Sequence, residues 1–153
     1  MRKIIFSLIF LLFIFTGCTE NLEVRDRAFI QGIAVEYTEN GYKICMRPFE
    51  SEETYIGEGT TFKEAVRSAE LKSGNDFFTG HTELIVIYEY EAFSICSELI
   101  NEEISAGCLV VYSDSPVKYV EENDTEKIMD IVSISMKNKE SMKITLCDVL
   151  NKK

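Results

Sequence analysis

The 153-residue chain has no tryptophan, one histidine and two prolines, and its five cysteines include no C-x-x-C pair. Each scarcity closes off a class of function. With no C-x-x-C pair and His81 as the single histidine, a zinc site of the usual ligand spacing has no support. There is no G-x-S-x-G and no phosphate loop, and the glycines at 57 and 59 precede a helix pattern without the lysine of a Walker motif. Nowhere does the chain contain the roughly 20 consecutive apolar residues that a lone spanning helix needs. Its longest apolar stretch, residues 4–15, is twelve residues interrupted by Ser7. Positive charge is also short: 16 Lys and Arg stand against 26 Asp and Glu, a formal charge of −10. A surface of that average sign repels nucleic acid and anionic headgroups, so no nucleic-acid partner is expected.

What is present begins at the amino terminus. Arg2 and Lys3, the apolar residues 4–15 and the small pair Thr16-Gly17 follow the order of a secretory signal peptide. Thr16-Gly17-Cys18 resembles a bacterial lipobox, in which a diacylglycerol is attached to the cysteine sulfur and the leader is cut just ahead of it. Phe15 stands where the usual pattern has leucine. A diacylglyceryl group supplies two chains, each buried methylene contributing about 0.8 kcal/mol, and two chains make a stable anchor. The plainer alternative is an ordinary signal peptide with a coincidental cysteine, for which Phe15-Thr16-Gly17 is a poor cleavage site. The expected organisation is a leader over 1–17, a lipidated tether over 18–27 and one domain over 28–153. Removing 17 residues from 153 leaves 136, enough for a single core. The mature chain then carries 14 basic and 26 acidic residues, a formal charge of −12. Attachment to a bilayer must come from lipid or from a membrane partner.

Cys45, Cys96, Cys108 and Cys147 remain beyond the anchor. In an exported domain they could pair in any of three ways. Each lies in an apolar or periodic segment, where a free cysteine behaves as a small core residue, and buried free thiols are the favoured expectation.

Residues 28–37 and 42–49 read as strands joined at Asn40-Gly41, with Phe29, Ile33, Val35 and Tyr37 on one face of the first. After the acidic loop "SEETYIGEG", Thr61-Phe62-Lys63-Glu64 has the form of a capping box and opens an amphipathic helix of about three turns that stops near Gly74. The apolar run from Leu84 predicts a strand covered on both faces, central in the sheet. A helix over 91–104, a strand over 108–113, a helix opened by Ser115-Pro116, a helix over 125–138 and a short helix from Thr145 complete the chain. The last is marginal alone and should dock on the core or belong to something missing. The order predicts an α/β (α+β) sandwich: a mixed sheet of about four strands with an N-terminal hairpin, flanked by helices.

No catalytic constellation, metal site or cofactor motif emerges. His81 lies just ahead of the central strand with Thr79, Thr82 and Glu83 nearby as the possible partners of a base or nucleophile. The blander reading is a loop histidine bonded locally.

Four segments, in order, carry a resemblance to a known family. Cys18 is followed by "LEVRDRAFIQGIAVEY", containing Gly32; then come "GTTFKEAVRSAE", containing Glu64, and "FFTGHTELIVI", containing Gly80 and His81; "DSPVKYVEEN" and "ITLCDVLNKK" close the chain. The mature sequence resembles the N-terminal domain of the Ger(x)C family, the C-subunit lipoproteins of spore germinant receptors. Members usually run more than twice this length, and the strand's usual Asp is Glu36 here. The resemblance implies a non-enzymatic subunit without cofactor, tethered by lipid on the extracytoplasmic face of the spore inner membrane and working with integral membrane subunits. It also implies structural roles for Gly32, Glu64, Gly80 and His81. Two other readings stand beside it: an envelope lipoprotein binding a small solute beside His81, and a truncated remnant without activity.

Overall fold

Hydrophobic alternation and one two-residue turn start the sheet. In the computed structural model, which describes residues 27–140 and 142–152, β1 (Arg27–Thr38) pairs antiparallel with β2 (Gly41–Pro48). Gly41 takes φ +117°, a conformation open to glycine, and a Cβ there would lie 2.4 Å from the Gly59 carbonyl oxygen. The hairpin is therefore fixed at its tip by backbone sterics.

β3 (Tyr55–Gly59) adds to β2 antiparallel, while β5 (Leu84–Ile87) lies parallel to β1 and β6 (Leu109–Tyr112) parallel to β5. The order is β3-β2-β1-β5-β6, with the three-residue β4 (Asp76–Phe78) parallel to the start of β1. The sheet thus has six strands rather than about four. β3 was hidden in the acidic loop because two of its five residues are glycines, which weaken a strand pattern. β5 is covered on both faces as its unbroken apolar run requires, with all four residues buried.

Alternation along β1 breaks once. Ile30 pairs with Pro48 and Gly32 with Arg47, so Gln31 is an extra residue, a β-bulge. The bulge brings Ile30 into the same core as Ile33 and Val35 and turns Phe29, expected on that face, out to 37% exposure; Tyr37 keeps the alternation of Val35 and is 56% exposed at the end of the strand. A one-residue insertion reverses which side each residue faces.

Helices cover both faces. On one, α1 (Phe62–Ser73), α2 (Ala92–Leu99) and the short α5 (Leu146–Asn151) enclose a core of Ile33, Ile44, Ile85, Ile87, Leu99 and Leu146. On the other, α3 (Pro116–Glu122) and the first turn of α4 (Thr125–Lys137) pack on Ala34, Cys45, Leu84 and Val86. The helix expected over 91–104 is shorter than its periodicity, flanked by 3-10 turns at Glu89–Glu91 and Ile100–Glu102. α5 docks through Leu146 and Val149, and its capping residue Thr145 bridges to Leu109 at the edge of the sheet.

Candidate docking surface and the motif residues

Backbone geometry decides what each motif residue does. Gly32 faces α4 so closely that a Cβ would lie 2.6 Å from Thr125 Oγ1. Glu64 is the third residue of α1 and completes the capping box, its carboxylate accepting from the Thr60 hydroxyl at 2.5 Å and from the Thr60 and Thr61 N–H groups at 2.9 and 3.3 Å. These donors, the Thr60 hydroxyl first, hold its carboxyl below the usual range. Gly80 and His81 form the centre of a turn closed by Thr82 N–H donating to the Thr79 carbonyl at 3.0 Å. A Cβ on Gly80 would meet the Phe78 ring at 2.7 Å, and the exposed His81 ring stacks on Phe29 and abuts Phe78 edge-on, with centroids 6.3 and 5.4 Å apart.

The neighbours of His81 are engaged elsewhere. Thr82 donates its hydroxyl to the Ile30 carbonyl, Glu83 accepts from Gln31 Nε2, and Thr79 reaches the Glu102 carbonyl. Cavities of about 400 and 460 Å³ flank the turn, the first bordered by Thr82 and Glu83 and the second by Thr79; His81 lines neither. The geometry holds His81 by aromatic packing, not by a hydrogen bond to a candidate catalytic partner. Cys18 and the leader lie outside the described residues.

Three connections were not anticipated from the sequence. Glu36, at the place of the family's aspartate, accepts from Val117 N–H at 2.9 Å and so satisfies an orphan amide at the start of α3, where Ser115 makes no side-chain cap. Tyr42 donates to Glu98, linking β2 to α2; burial, then that bond, pushes the phenol up. Arg47, 5% exposed, donates from Nη2 to the Val120 and Glu121 carbonyls at the end of α3 and from Nη1 to those of Ser51 and Glu52. A charge within the apolar strand "KICMRPF" was the available signal for Arg47. Glu36 offered none.

Cys45, Cys96, Cys108 and Cys147 are free. Cys45, Cys96 and Cys108 are buried, and burial raises their thiols to about 11, 11 and 12. Cys147, expected in the core, is exposed, because α5 buries Leu146 and Val149 and turns the two residues between them outward. Of these four, Cys147 alone should react with a thiol reagent in the native protein at pH 8, one equivalent per chain, with three more appearing on denaturation. Rapid native reaction of more than one would contradict the burial.

α4 is packed only at its beginning. Thr125 and Ile128 are buried; beyond them no described side chain of the helix is. Met129, Val132 and Met136 border the 400 Å³ cavity, while Ile131 and Ile134 turn to solvent at 47% and 56% exposure. Among the described residues there is no group of three or more metal-ligating side chains and no helix long and apolar enough to cross a membrane.

The described residues thus form a three-layer α+β domain with an apolar helix flank left uncovered. Residues 20–152 match the family model described as the spore germination protein N-terminal domain, and the chain belongs to that family. Comparison with curated proteins and with solved structures finds no match. The protein's role accordingly lies in spore germination, in a family that is not a known class of enzyme.

Proposed function

We propose that this chain is a lipid-anchored subunit of a spore germinant receptor, acting in the response to nutrients through contacts with integral membrane subunits and not by catalysis. One observation carries the reading: the family match begins at residue 20, two residues after Cys18, so the leader, Thr16-Gly17-Cys18 and the domain succeed one another without a gap. The diacylglyceryl group on Cys18 would hold the domain at the extracytoplasmic face, on the spore inner membrane, and Arg27 opens the sheet nine residues later.

Two measurements test it. Mass spectrometry of the mature protein should find a diacylglyceryl modification on an N-terminal Cys18. Cys18→Ala should remove that mass and lower the membrane-bound share by at least about tenfold, since the two acyl chains supply the stable part of the attachment. An unmodified amino terminus, a retained leader in the wild type, or membrane retention unchanged in the variant would overturn the anchor.

A further inference from the structure

The uncovered flank of α4 has a distinctive charge. Residues 19–126 hold 8 basic and 23 acidic side chains, a formal charge of −15; residues 127–153 hold six lysines and three carboxylates, a formal charge of +3. The average sign of the protein repels an anionic surface, but that sign is segregated. Lys127 and Lys137 on α4, and Lys139 and Lys143 in the loop after it, are all exposed. They surround Ile131, Ile134 and Met142, the last 85% exposed, with Asp130 and Glu140 the carboxylates among them. A helix apolar on both its inner and outer sides is one that something covers. Apolar residues ringed by lysine complement a surface that is itself anionic outside and apolar beneath.

Position points the same way. α4 passes Thr82 and Glu83 through the cavity they share, and these two are bonded to the Ile30 and Gln31 carbonyls at 3.3 and 2.9 Å. The helix therefore crosses the end of the sheet at which β1 begins. Arg27 lies about 13 Å along the strand from Gln31, and the nine residue steps from Cys18 to Arg27 reach at most about 30 Å. A bilayer holding Cys18 is thus kept near this end of the domain.

We propose that α4 and the loop through Lys143 form a contact surface for the anionic bilayer in which Cys18 is held. Ile131, Ile134 and Met142 enter the headgroup boundary and the lysines pair with lipid phosphates, while Glu50, Glu52, Asp124 and Glu126, gathered beside Gln31 at the start of α4, stay outside the contact. The orientation rests on the anchoring reading above; the chemistry of the surface does not.

The absence of tryptophan supplies the probe. In the processed full chain, Ile134→Trp places a single indole on the flank, and Tyr90→Trp places one beyond the opposite end of β5, where Tyr90 is 79% exposed. Each protein is reconstituted in phosphatidylcholine vesicles containing about a third phosphatidylglycerol, with brominated acyl chains. Recovery with the vesicles reads the anchor, and quenching reads the contact. The expected result is a blue-shifted, quenched indole at 134 and a solvent-like, unquenched one at 90. Adding Lys137→Glu, Lys139→Glu and Lys143→Glu should reduce the bound fraction of the flank at least about 20-fold, since each lysine near an anionic surface is worth several-fold in affinity. Solvent-like emission at 134 in vesicle-bound protein overturns the contact and leaves a protein partner as the cover. If Cys18 carries no lipid, the anchoring reading fails, and the contact is read by the same quenching with added vesicles at low salt; no quenching there overturns it too.

Discussion

Gly57→Val is expected to lower the stability of this domain by more than about 3 kcal/mol, enough to leave much of the chain unfolded at growth temperature. Gly57 lies at the centre of β3, opposite Ile44 of β2, and α1 rests directly on it. A Cβ at this position would stand 1.9 Å from the Ala65 carbonyl oxygen, 2.9 Å from the Ala69 N and 3.0 Å from the Ala65 carbonyl carbon. All three are helix backbone, so no side-chain rotation relieves the clash. α1 would have to lift from the sheet, taking Phe62, Ala65 and Ala69 out of a core in which each is at most 2% exposed. Even Gly57→Ala should cost about 2 kcal/mol or more. The proper control is Gly74→Ala, because Gly74 also ends α1 at φ +77° but has nothing within 4 Å of an added Cβ; its cost should be about 1 kcal/mol, from the left-handed backbone alone. Urea midpoints of the three variants decide the matter, and a Gly57→Ala midpoint at or above that of Gly74→Ala would mean that α1 does not sit on β3 in this way.

The second large effect is expected at Arg47. Arg47→Ala should destabilise by about 3 kcal/mol, combining lost charge-assisted hydrogen bonds with an unfilled volume. Its guanidinium has four carbonyl acceptors at 2.7 to 3.4 Å and none of the described ion pairs includes it. The carbonyls at the end of α3 carry the helix's partial negative charge, and they take the place of a carboxylate. Nε remains buried without a partner, so the native arrangement already tolerates one unpaired donor. Arg47→Lys should recover less than half the loss, since one ammonium cannot reach both the end of α3 and the loop after β2. Because the partners are neutral carbonyls and Arg47 itself is buried, the cost should change little between low and about 0.5 M salt, unlike that of an exposed ion pair. Strong salt dependence would show that Arg47 is instead matched by a surface carboxylate.

These two residues also mark where sequence reasoning reaches its limit. The apolar run of β5, the capping box at Thr61 and the helix start at Thr145 were legible because their determinants lie within a few residues of one another. Pro116 at the start of α3 was visible for the same reason. By contrast, Arg47 and Val120 are separated by 73 residues and Glu36 and Val117 by 81, and no local pattern announces such pairs. β3 was missed because its glycines serve α1 rather than the strand that contains them, and the bulge at Gln31 because alternation cannot show its own interruption. In the motif set, Glu64 was readable in advance from the spacing of its capping box. The aromatic seat of His81 required Phe29 and Phe78 to be brought together by the pairing of β1 with β4.

The place of β1 has a mechanical consequence. It is the first described element of the chain, and it is hydrogen-bonded along one edge to β2 and along the other to β4 and β5. Tension applied through its first residue runs parallel to the strand and loads both ladders in shear, so they must yield together and cannot be unzipped one bond at a time. Gln31 adds a notch against sliding, because slipping β1 by one residue against its neighbours would turn Ile33 and Val35 out of the core. A domain loaded through that residue resists as a unit and passes the force into the whole sheet.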